Sequence, residues 1–137
     1  MLDPLEVIAA RDCGAVRYSV LTDYSNDLNN VLRRFGLNAN KTALLSRDRA
    51  TARDVLAQLF FQDLAYGGAC GLMNQAATSW AERILAEHEY EGSVYYTNGG
   101  FGFHKSRAPF TQATYDAGMI ITGPNHRFFC IWFEDED

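Results

Sequence analysis

A chain of 137 residues is the size of one domain, and with 47% of its residues hydrophobic and 21% charged it has the balance of a folded globular protein. No run approaches the roughly 20 apolar residues that span a bilayer, and the opening Met1-Leu2-Asp3-Pro4-Leu5-Glu6 lacks the basic start and apolar run of a signal peptide, which points to a cytoplasmic protein with no membrane association. The net charge of −5 speaks against direct nucleic-acid binding, because contact with phosphates draws on basic residues that release counterions.

Asp3 is placed to cap a first helix, with Pro4 at its first position, Glu6 able to reach back to the cap, and Gly14 to end it. Residues 15 to 21 alternate as a strand does, with Val16, Tyr18 and Val20 on one face. Tyr24, Leu28, Val31, Leu32 and Phe35 then recur at helical spacing after a capping Thr22 or Asp23, and Arg33 and Arg34 precede a terminating Gly36. Thr51-Ala52-Arg53-Asp54 resembles a capping box that opens a third helix, whose Val55, Leu56, Leu59, Phe60 and Leu64 form an apolar stripe up to Gly67-Gly68. A fourth helix is expected from about Leu72 to His88, with Met73, Ala76, Ala77, Trp80, Ile84 and Leu85 facing one way.

Beyond Gly92 the period becomes extended. Residues 93 to 97 and 101 to 105 flank Asn98-Gly99-Gly100, and residues 117 to 122 and 127 to 133 flank Gly123-Pro124-Asn125-His126, which predicts two hairpins. The expected fold is therefore α+β, a single domain over residues 1–137. About four helices in the N-terminal two thirds pack on a C-terminal antiparallel meander of about four strands. Residues 128 to 133 (Phe-Phe-Cys-Ile-Trp-Phe) do not alternate, so both faces of that strand need cover from helices, from a second sheet or from another copy of the chain. A homodimer contact through strand 128–133 follows from the last of these.

Cys13, Cys70 and Cys130 are odd in number and widely spaced, with no C-x-x-C pair, and read as free thiols. Cys70 near His104, His88 or His126 is the one nucleophile–base combination on offer, and a small enzyme would be built on Cys70 or His104. The sequence contains no H-E-x-x-H, G-x-S-x-G or Walker loop, and no cofactor or metal is expected. The glycine-rich Asn98-to-Lys105 segment is explained by a tight turn; as a ligand site it would use Asn98, Gly100, His104, Arg107 and Arg127 around a phosphate- or nucleotide-bearing molecule.

Charge is distributed unevenly. Residues 28 to 62 hold Arg33, Arg34, Lys41, Arg47, Arg49 and Arg53 against Asp48 and Asp54, whereas the chain ends in Glu134, Asp135, Glu136 and Asp137 directly after its most apolar strand. Such a tail either solvates an edge strand or steers the protein toward a basic surface. Together with the aromatic Tyr95 and Phe101 it suggests a partner-binding surface of Tyr95, Phe101, Glu134, Asp135, Glu136 and Asp137. The leading expectation is a small acidic protein-binding inhibitor of immunity or antitoxin type, which blocks a partner with a basic surface such as a toxin or nucleotide-handling enzyme. The alternatives are an oligomeric small-ligand sequestering protein and the small enzyme above.

Overall fold

A computed structural model of the chain describes residues 1–65, 68–99 and 108–136. Helix α1 (Pro4–Ala10) starts as expected, with the Leu5 N–H donating to the Asp3 carboxylate at 3.0 Å. Helix α2 (Leu28–Arg34) is shorter than its periodicity suggests. Its cap is Asp27, not Thr22 or Asp23, and Tyr24 lies outside it, 72% exposed. The cause is local competition: Asp23 accepts hydrogen bonds from Ser25, Asn30 and Arg34 and holds the preceding residues in a turn, with Asn26 at φ 56°. Helix α3 (Arg49–Phe61) likewise begins one turn before the expected box, because Asp48 takes the Thr51 N–H at 2.7 Å. Helix α4 (Asn74–His88) buries Ala77, Ala81, Ile84, Leu85 and His88, a stripe that leaves Met73 80% exposed.

The sheet has five strands rather than about four: β1 (Ala15–Thr22), β2 (Leu45–Arg47), β3 (Tyr95–Thr97), β4 (Tyr115–Thr122) and β5 (Arg127–Asp135), all antiparallel in the order β1-β5-β4-β3-β2. The β4–β5 hairpin forms as expected. The second arm expected for the other hairpin, residues 101 to 105, lies outside the described residues, and β3 pairs instead with β4 and β2.

Strand β5 is internal, and the chain covers both its faces. Phe129, Ile131 and Phe133 pack into one core with α1, α3 and α4, while Cys130 and Trp132 pack into a second with Val31, Leu32, Leu44 and Phe110. Residues Phe129 to Phe133 are each at most 1% exposed, so strand 128–133 is not a dimer contact. Gly118 on β4 allows this packing, because a Cβ there would fall inside the Trp132 indole. Beside it the buried Asp116 carboxylate accepts from Trp132 Nε1 at 3.0 Å, Phe110 N–H at 3.1 Å, Thr111 N–H at 3.0 Å and Thr111 Oγ1 at 3.0 Å. These bonds seat the segment before β4 against the second core.

Cys13 and Cys70 are not free thiols. A hydrogen bond from Asp12 N–H to the Cys70 carbonyl, 3.0 Å, brings the two segments together, and the sulfurs form a disulfide between residues 57 apart in sequence with Cα atoms 5.5 Å apart. Cys130 is the free cysteine, and burial pushes its thiol above its ordinary range. Closing a loop of this length stabilises the native state by up to about 4 kcal/mol through the unfolded chain's entropy. Reductant should therefore lower the urea midpoint without changing the native far-UV spectrum, and the unreduced native protein should take up no alkylating agent. Identical midpoints with and without reductant would show that the cross-link does not constrain the chain.

Candidate functional site

Two of the residues expected at the surface, Tyr95 and Asp135, are buried. Tyr95 is 7% exposed and donates its hydroxyl to Glu89 at 2.5 Å, which makes it a core residue of β3. Asp135 is 2% exposed and forms a two-pronged pair with Arg11, both bonds 2.6 Å, while accepting the Leu64 N–H at 2.7 Å. Arg11 spends its remaining donors on the carbonyls of Leu59, Cys13 and Gln62. Asp135 is thus a structural counter-ion and cannot serve a partner. Glu134 pairs with Arg17, and Glu136 is exposed and accepts from Thr114 Oγ1 at 2.5 Å.

Of the expected ligand set, two residues are described, Asn98 and Arg127, and they lie apart. Asn98 is 2% exposed and donates to the carbonyls of Ala108 and Asp116 at 2.9 and 3.1 Å. It lies beside Gly118 (3.3 Å), whereas Arg127 lies across from Gly123, about 17 Å further along the chain from Gly118. Phe101, Asp137, Gly100, His104 and Arg107 fall outside the described residues. Cys70, bound in the disulfide, offers no thiolate. Three of the six basic residues between 28 and 62 are paired with acids: Arg34 with Asp23, Arg49 with Glu82 and Glu89, and Arg53 with Asp54 and Glu82.

What the fold does bring together lies around the β4–β5 turn. Gly123 N–H donates to the Arg127 carbonyl at 2.8 Å, and the tight reversal puts both Asn125 (φ 57°) and His126 (φ 62°) in the left-handed region. The Asp23 N–H holds the His126 carbonyl at 2.9 Å, and the exposed His126 ring lies 4.6 Å from that of Tyr24. On the other flank Tyr90, 43% exposed, packs against Gly123 and receives the Arg127 guanidinium over its ring at 5.7 Å. The turn is therefore framed by two exposed tyrosines from segments remote in sequence.

Beneath it, His88 stacks on Phe129 at 3.8 Å with an interplanar angle of 5° and is 6% exposed. Its Nδ1 meets Arg127 Nη2 at 3.3 Å and its Nε2 meets the Tyr18 hydroxyl. A guanidinium can only donate, so Nδ1 accepts and the neutral ring carries its proton on Nε2, donating to Tyr18 Oη. The Tyr18 hydroxyl proton is then directed away from the imidazole. Burial, and next the Arg127 charge, lower His88 to about 4; burial, and next Glu87, raise Tyr18 to about 12. The arrangement fixes Arg127 and Tyr18 on a neutral buried ring. Pattern placed Tyr24 in a helix and Asn125 and His126 in a hairpin turn, and it did not join them with Tyr90 as one surface. The available signal was the polar Asp-Tyr-Ser-Asn-Asp run, which competes with a helix start, and the Gly-Pro-Asn-His turn itself.

No family model matches the chain, and no significant match was found among curated proteins or solved structures. The functional reading consequently rests on the residues just described.

A test of the His88 environment follows from linkage. Because its native value lies below its ordinary 6.5, the unfolded chain binds a proton between pH 6.5 and about 4 that the native state refuses. Stability from this group is complete above pH 6.5 and is lost as the pH falls toward 4, by about 3 kcal/mol. Urea titrations of wild type and His88→Gln across that range should diverge, with the wild type falling more steeply. Parallel curves would mean that His88 is not held neutral.

Proposed function

We propose that the chain is a small protein-binding inhibitor of immunity or antitoxin type, and that it meets its partner enzyme through the surface around the β4–β5 turn. The observation that carries this reading is the pair of tyrosines, 72% and 43% exposed, on either side of a turn that also presents His126 and Arg127. Tyrosine and arginine are the residue types that most often anchor interfaces, and a turn clipped to the chain after β1 and packed on Tyr90 loses little conformational entropy on binding. The exposed Glu136 lies at the other end of β5, about 30 Å away along the strand, so it contributes to encounter rather than to the contact.

Retention of partners from native cell extract on the immobilised protein, followed by mass spectrometry, tests this. One protein partner should bind wild type and be lost by Tyr24→Ala/Tyr90→Ala, each truncation weakening binding by roughly tenfold or more at an unchanged melting temperature. Glu136→Gln should only slow association. Full retention by the double variant would move the interface off the turn, and recovery of a small ultraviolet-absorbing molecule in place of a protein would favour the sequestering alternative.

A further inference from the structure

The two edges of the sheet are unequal. Strand β2, at one edge, is three residues long, too short to template another strand. Strand β1, at the other, is eight residues long and pairs with β5 over its whole length, from Ala15 opposite Glu134 to Thr22 opposite Arg127. On its outer side no strand lies among the described residues, and no backbone-to-backbone bond reaches it. Among the described residues Arg34 reaches its outer side, donating to the Thr22 carbonyl at its last residue.

Edge strands are ordinarily blunted by proline, by a bulge or by a free charge. The run Ala15-Val16-Arg17-Tyr18-Ser19-Val20-Leu21-Thr22 has no proline, its register with β5 is one to one, and its single charge is bound to Glu134. Val20 is left 39% exposed. We propose that β1 pairs antiparallel with β1 of a second copy about a two-fold axis, joining two five-stranded sheets into one continuous sheet.

The side chains select both the occupant and the register. Val16, Tyr18 and Val20 alternate with Arg17, Ser19 and Leu21, the first set on the face of α1, α3 and α4 and Leu21 on the face of α2. A two-fold axis normal to the sheet keeps like faces together only if it passes through a residue. With the axis at Ser19, Tyr18 faces Val20 of the second copy and Arg17 faces Leu21. Two aromatic–β-branched pairs then cover the exposed Val20, and the two Arg17 residues are kept apart. With the axis at Tyr18, the two Arg17 residues would lie diagonal to each other, and like charges disfavour that register. The strand is therefore complementary to itself in one register.

Sedimentation equilibrium of the full chain should give a concentration-dependent dimer of twice 15.4 kDa. Ser19 is exposed, so Ser19→Lys and Ser19→Glu should each fold with wild-type circular dichroism, and each should weaken the dimer by about tenfold or more through like charges meeting at the axis. An equimolar mixture of the two variants should dimerise again. That rescue is specific to an axis at Ser19. A wild type that stays monomeric at all concentrations, a dimer indifferent to both charges, or a mixture that fails to reassociate would each overturn the proposal. So would a monomer whose β1 edge is instead taken by an unrelated protein. The inference is independent of the reading of the β4–β5 turn, since Tyr24→Ala/Tyr90→Ala should leave the dimer intact.

Discussion

Strand β5 is apolar on both faces, and the rest of the fold answers that constraint. A strand that alternates can lie at the surface of a two-layer sandwich; one that reads Phe129-Cys130-Ile131-Trp132-Phe133 must be central in a sheet with cover on each side. The chain supplies β1 and β4 as neighbours, α1, α3 and α4 on one face, and α2 with Leu44 and Phe110 on the other. The second cover is thin, which is why Phe110 and the Asp116 hydrogen bonds matter: they turn a loop into part of a core.

The two buried acids near this strand are satisfied in different ways, and the difference sorts their roles. Asp116 has neutral donors on its carboxylate and serves as a hub that fixes the chain before β4. Asp135 has Arg11, and the pair brings the end of β5 to the loop after α1 and the end of α3. A buried ion pair is often no better for stability than an apolar replacement, but breaking one by removing a single partner leaves an uncompensated charge. The Arg11–Asp135 pair therefore acts chiefly as a register device, supported by the neighbouring disulfide.

Much of the fold was legible in the sequence because it is set locally. The Asp3-Pro4 start and the Gly123–His126 hairpin each follow from nearby residues, whereas α1 ends at Ala10 and α3 at Phe61, short of the glycines expected to stop them. The misreadings arise where two local signals compete, as when Tyr24 shares helical spacing with Leu28 while Asp23 captures Ser25, or when Asp48 out-competes Thr51 as a cap. What could not be read is long-range. The pairing of β1 with β5, the Cys13–Cys70 link and the burial of Asp135 all join residues 57 or more apart, and none leaves a periodic trace. The candidate site is of this kind, since Tyr24, Tyr90 and the turn come from three segments.

The acidic tail shows why exposure cannot be assumed from composition. A carboxylate can recruit a partner only with donors it has not already committed to, and Asp135 could reach outward only by abandoning Arg11 beneath the surface. The cost of that exchange, several kcal/mol, exceeds what one surface ion pair returns. At the other end of β5 the balance is reversed. Arg127 spends one donor on a neutral imidazole and lays its charge on the face of Tyr90, and among the described residues no salt bridge holds it. The closed end of the strand holds the fold, and the proposed recognition surface lies at the end where polar and aromatic groups are positioned but not saturated.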